Sequence, residues 1–145
     1  MKPFLLTIIF TILTFISLGQ TKEEVDAVND VERAMREVKV KYLNVSLVSL
    51  IATPERFDGE MIQVKGYLHM EMNSNALYIH EDDYKNKITA NAFSVTFDQK
   101  FVKKKNPLDY SDKYVILIGR FDAGDKGNAA QFSGTIKNII RLDQL

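Results

Sequence analysis

Two well-separated segments repeat one pattern, apolar residues at alternate positions around a central glycine: Ile62, Val64, Gly66 and Leu68, then Val115, Leu117, Gly119 and Phe121. A period of two places each set on one face of a β-strand. Glycine inside such a row marks a bend, a bulge or the close approach of another backbone. Two strands that each bend at mid-length are what a small sheet needs to curl and close on itself. The pattern commits the chain to a β-rich body.

The other segments fit that body. Val45–Leu50 reads as a short extended run, followed by one helical turn at Thr53-Pro54-Glu55-Arg56, where Thr caps and Pro occupies a first helical position. Five strands then follow: Met61–Met72, Ala76–His80, Ala92–Phe97, Lys113–Asp122 and Gln131–Leu142. Polar or glycine-rich connections separate them, including a loop from Glu81 to Asn91 and a turn at Asp122–Asn128. A two-residue loop, Ser74-Asn75, is the expected hairpin connection. It sets Met72 opposite Leu77, Met70 opposite Ile79 and His69 opposite His80.

Ahead of this body, at 42–145, lie two other segments. Residues 1–19 combine Lys2, an apolar run from Phe4 to Leu18, and small residues at Ser17 and Gly19, the form of a secretory signal peptide cleaved after Gly19. The expected location is the periplasm or the outside of the cell, with no stable membrane span after cleavage. Residues 20–41 open with a capping box, Thr21 to Glu24, and carry an apolar stripe of Val25, Val28, Val31, Met35 and Val38. This predicts an amphipathic helix that either folds back on its own domain or joins two copies of the chain.

Composition narrows the function. Of 145 residues 46% are hydrophobic, and removing Lys2 with the leader leaves 18 basic side chains against 19 acidic ones. Such a balance excludes a disordered chain and a protein whose whole surface is basic for nucleic acid. The absence of cysteine excludes disulfides, thiolate metal sites, a cysteine nucleophile and lipid attachment at an N-terminal cysteine. No phosphate loop, dinucleotide fingerprint or Ser-His-Asp order is present, and no cofactor is implied.

The motifs Pro54–Gly59, Ile62–Gly66, Ala76–Ile79, Tyr114–Phe121 and Phe132–Ile139 resemble those of the OB-fold, and within it small exported bacterial proteins. The resemblance covers roughly Val45 to Leu142 and concerns where strands turn, not chemistry. It implies a five-stranded OB-like antiparallel barrel, here preceded by the amphipathic helix. It also implies a short helix within Asp98–Ser111, plugging the barrel with Phe101 and Val102. OB domains use the outer face of their early strands and the rim loops for ligands. The candidate ligand surface is therefore Tyr67, His69, Glu71, Asn73, Asn75, Tyr78 and His80, with Lys126 on the other rim.

The expected function is an exported, non-enzymatic binding or scaffold module for an oligosaccharide, a peptide or a protein partner. One alternative is a structural protein that oligomerises through the Val25–Val38 stripe. Another is single-stranded nucleic-acid binding through Lys100 and Lys103-Lys104-Lys105, where Phe101 supplies an aromatic. His69 and His80, as a cross-strand pair, form a minimal metal or proton site. Two ligands fall short of the four that stable zinc requires.

Overall fold

The computed structural model describes residues 41–72 and 74–145. The expected signal peptide, the expected capping box and the Val25–Val38 stripe, and also Asn73, lie outside the described residues.

Alternation at period two does what the sequence predicts over the two glycine-centred segments. Strand β1 (Leu43–Asn44) lies parallel to β2 (Met61–Glu71), which forms a hairpin with β3 (Ser74–Tyr78). Strand β4 (Ala92–Val95) follows antiparallel to β3. The remaining two, β5 (Lys113–Asp122) and β6 (Thr135–Gln144), pair with each other in antiparallel fashion. Because β5 also pairs with β2 and β6 runs parallel to β4, the sheet closes into a ring in the order β2, β3, β4, β6, β5 and back to β2. The expectation of a purely antiparallel arrangement is corrected by β1–β2 and β4–β6.

The two glycines act where backbones crowd. A Cβ on Gly66 would sit 2.6 Å from the Tyr78 carbonyl oxygen and 2.8 Å from Leu47 Cδ1. At Gly119 it would meet Ile139 Cδ1 at 2.6 Å and the Lys137 carbonyl oxygen at 2.9 Å. Gly119 also marks an irregularity in the β5–β6 ladder, between Ile118 and Arg120, opposite the stretch from Lys137 to Arg141 in which Asn138 takes a left-handed φ of 53°. An irregularity of this kind bends a strand.

Inside the ring lies the core: Ile62, Val64 and Leu68 from β2, Leu77 from β3, Phe93 and Val95 from β4, Val115, Leu117 and Phe121 from β5, and Ile136, Ile139 and Leu142 from β6. Phe93 and Phe121 meet edge to face, centroids 5.8 Å apart. Such aromatic contacts add to the stabilisation from burial itself.

Three local expectations are corrected. Val45–Leu50 is not extended. Helix α1 (Leu47–Ala52) forms there, because Ser46 Oγ accepts from the Ser49 amide at 3.0 Å and Leu47 and Leu50, three residues apart, both reach the core. The Glu81–Asn91 loop contains helix α2 (Glu81–Lys85), followed by a 3₁₀ turn at Thr89–Asn91. Its anchor is buried Asp83, whose carboxylate accepts from the His80 amide at 3.0 Å and the Asn91 side chain at 2.8 Å. Helix α3 (Gln99–Lys104) forms between β4 and β5 as expected, with Phe101 packed on the core, but Val102 faces out and is exposed.

The hairpin register differs too. Glu71 pairs with Ser74, so Ser74 belongs to the strand and not to the connection, and His69 lies opposite Ala76, not His80. Leu77 must face Phe93 in the neighbouring strand while sharing the interior with Leu68, which fixes β3 four residues from the predicted register. An even shift keeps every side chain on its predicted face. Among the described residues, no helix is long and apolar enough to cross a membrane.

Candidate functional site

On the outside of the β2–β3 hairpin, Tyr67 and Tyr78 are direct cross-strand neighbours. Exposed tyrosines here would form an open stacking platform. Instead α2 crosses above them and lays Tyr84 over both, with ring centroids 6.1 Å from Tyr67 and 5.6 Å from Tyr78. Tyr67 and Tyr78 are consequently only 6% and 7% exposed. Tyr114 of β5 meets Tyr67 edge-on at 5.5 Å and accepts a hydrogen bond from the Glu81 amide on its hydroxyl oxygen, tying α2 to β5.

Next along β2 comes His69, whose ring stacks on Tyr84 with centroids 3.8 Å apart and planes 24° from parallel. Its Nδ1 lies 2.6 Å from an Asp112 oxygen and its Nε2 lies 3.1 Å from a Glu71 oxygen. Asp112 sits in a tight turn, in the left-handed conformation with φ of 61°, and its amide donates to the Leu68 carbonyl at 2.7 Å. That turn delivers the carboxylate to both the His69 ring and the Tyr67 hydroxyl, which donates to it at 3.3 Å. The His69 hydrogen bond holds the Asp112 carboxyl below the usual carboxylate range, against a smaller opposing effect of burial. Burial, with Asp112 adding to it, pushes the Tyr67 hydroxyl up to about 12. Tyr78 is shifted in the same direction by burial and then by Glu71.

The far side of Tyr84 faces a cleft of about 540 Å³. Tyr78, Tyr84 and Phe132 give it an aromatic lining, and Glu71, Lys85, Lys87, Thr89 and Gln131 line it with polar groups. Lys85 is engaged with Glu81 at 2.8 Å, whereas Lys87 has no carboxylate partner among the described residues. Apolar ring surface flanked by a few convergent polar groups is the usual character of a ligand site. Tyrosine serves this purpose well, since its ring is flat and rigid and its hydroxyl stays polar.

The predicted surface residues thus divide. Tyr67, His69, Glu71 and Tyr78 come together around Tyr84. His80 precedes α2 and lines a separate cleft of about 560 Å³ with Gln63, Lys65 and Ile79. Asn75 pairs with Met70 and opens toward Ser94 and Asn128. Lys126 has a structural contact: its ammonium donates to the Ser133 carbonyl at 2.7 Å and its own carbonyl accepts from the Phe132 amide at 3.1 Å, fixing the segment that carries Phe132. Asn73 lies outside the described residues.

The histidine pair envisaged for metal does not form, since the register separates its members. The carboxylates around His69 approach opposite ring nitrogens and do not converge on one cation. Of the basic cluster, Lys105 is committed internally, to the Leu142 carbonyl, to Asp143 at 3.0 Å and to the Tyr110 ring at 4.6 Å. Lys100, Lys103 and Lys104 are exposed.

Three residues central to the site, Tyr84, Asp112 and Phe132, are absent from the predicted set. Tyr84 carries a signal, the one aromatic inside an acidic stretch at a helix start. Asp112 and Phe132 reach the site only through the closure of the ring. Compared with protein-family models and with curated proteins, the chain finds no match.

Proposed function

We propose that the chain is an exported, non-enzymatic binding module, an OB-like barrel that holds a polar extracytoplasmic ligand, an oligosaccharide or a peptide, in the cleft beside Tyr84. The observation that carries this reading is the aromatic lining of Tyr78, Tyr84 and Phe132, together with hydrogen-bonding side chains and Lys87, which has no carboxylate partner among the described residues. The closed strand order and the short helix α3 between the third and fourth strands of the ring support the OB-like reading. Export rests on the leader, Lys2 through Gly19.

A binding role fits this geometry better than catalysis. General base chemistry needs a histidine whose free nitrogen reaches a substrate. In His69 one nitrogen meets Asp112, the other meets Glu71, and a ring face is covered by Tyr84. The cleft lining also carries mixed charges, Glu71 with Lys85 and Lys87, which suits a polar, hydrogen-bonding ligand more than a strong polyanion.

The test is a resonance titration of the full-length protein with neutral oligosaccharides, acidic oligosaccharides and short peptides. A ligand of this site moves the signals of Tyr84, Lys87 and Gln131, and the double substitution Lys87→Ala with Gln131→Ala weakens it by about tenfold. A ligand whose binding ignores that double substitution would place the function on another surface. If the oligosaccharides and peptides leave the spectrum unchanged and only an added single-stranded oligonucleotide shifts it, with an affinity that falls steeply with salt, the Lys100–Lys105 face is favoured instead.

A further inference from the structure

His69 is a single imidazole shared by two carboxylates. Nδ1 is 2.6 Å from Asp112 and Nε2 is 3.1 Å from Glu71, and among the described residues neither carboxylate has another ion-pair partner. A neutral imidazole carries one N–H and one bare lone pair, so it donates to one carboxylate and turns the lone pair toward the other. Only the doubly protonated ring donates to both. That charged ring also lies flat on Tyr84, where a cation gains from the electron-rich face of the aromatic.

The other ionisable groups around the ring do not supply a replacement charge. Tyr67 on β2, Tyr78 on β3, Tyr84 on α2 and Tyr114 on β5 bring phenol rings and no cation, and Glu81 on α2 adds negative charge beside Tyr67. Lys85 is spent on Glu81. The positive charge that three elements need at this point comes from one ring.

We propose that His69 is a proton-operated latch: with its ring doubly protonated it clamps β2, the Asp112 turn and Tyr84 of α2 together, and loss of the proton releases α2 and the part of the cleft lining that Tyr84 forms. On deprotonation one carboxylate faces a lone pair and its contact opens. The ring then loses the two-point hold that keeps it parallel to Tyr84. Since α2 is five residues long and its other anchors are Asp83, the Tyr114 hydroxyl and the packing of Tyr84 on Tyr67 and Tyr78, part of its order follows the latch. The latch stands on this geometry and is independent of what the cleft binds.

The measurement is amide hydrogen exchange over Tyr84–Lys87 in the full-length protein at pH about 5 and about 8, on either side of the range in which histidine changes charge, corrected for the intrinsic pH dependence of exchange. Protection is expected to be about threefold to tenfold higher on the acid side, the size of one partly exposed, charge-assisted hydrogen bond. Glu71→Gln flattens the difference, because a glutamine amide donates to the bare nitrogen of a neutral ring while Asp112 keeps the other N–H. His69→Gln removes it, and His80→Gln leaves it intact. Equal protection at both pH values in the natural protein overturns the latch. So does a difference that survives Glu71→Gln, a substitution at an exposed position that retains the fold even where His69→Gln does not, or one that vanishes with His80→Gln.

Discussion

Tyr84 covers His69 with ring centroids 3.8 Å apart, and this one stack joins the start of the hairpin's outer face to a five-residue helix. Without it, Tyr67 and Tyr78 would be an exposed tyrosine pair. With it, they are buried beneath a lid, and the accessible aromatic surface moves to the cleft beyond.

Replacing Tyr84 by alanine uncovers that pair. Urea unfolding should register a loss of about 2 kcal/mol, less than a full aromatic truncation in a core because Tyr84 is half-buried. Tyr84→Phe, which keeps the ring, should cost well under about 1 kcal/mol.

Glycine substitutions separate close approach from mere flexibility. Gly66→Ala and Gly119→Ala each force a methyl within 2.6 Å of a neighbour, a carbonyl oxygen in the first case. Thermal unfolding should show a loss of about 2–3 kcal/mol for each, as for other overpacked sites. Gly124→Ala is the control, since its nearest neighbour is 3.5 Å away, and it should be close to neutral.

Acid should act through Asp112. Its carboxyl is held low in the folded protein by His69, so the stability it confers is present above the ordinary carboxylate range and is lost as pH falls through the lowered folded value. Asp112→Asn tolerates the same left-handed turn. The variant should be less stable than the natural protein at neutral pH, and the two unfolding curves should converge in acid.

Alkali should act through Tyr67. With the folded hydroxyl pushed up to about 12 and the unfolded one ionising near the ordinary 10.0, its contribution is complete below that ordinary value and is lost as pH rises through the raised one. Ultraviolet titration should find a late-ionising tyrosine that disappears in Tyr67→Phe.

The sequence disclosed the fold more readily than the site, for a physical reason. Strand alternation and the glycine positions are local signals, and β5 begins and ends at the residues the pattern predicts. Helices α1 and α2 were hidden because each is short and depends on single capping contacts, Ser46 to Ser49 and Asp83 to His80, that compete with extended structure on nearly equal terms. The hairpin register was ambiguous because shifts of two or four residues preserve the faces, and only the pairing of Leu77 with Phe93, from another strand, decides among them. Tyr67, His69 and Tyr78 could be read as sharing a face. That Asp112, 43 residues from His69, would complete their surroundings could not, since no spacing rule links a turn residue to a distant strand.

The parallel pairing of β4 with β6 has a further consequence, for the order of events during folding. Strand β6 fills the space between β4 and β5, so until it arrives both of these keep an unpaired edge. The β4–β6 contacts across that space, Ser94 with Thr135 and Val95 with Ile136, join residues far apart in the chain, a topology that slows folding and leaves strand edges open to other molecules meanwhile. A chain cut before Thr135 would therefore be expected to aggregate rather than form a smaller version of the same structure.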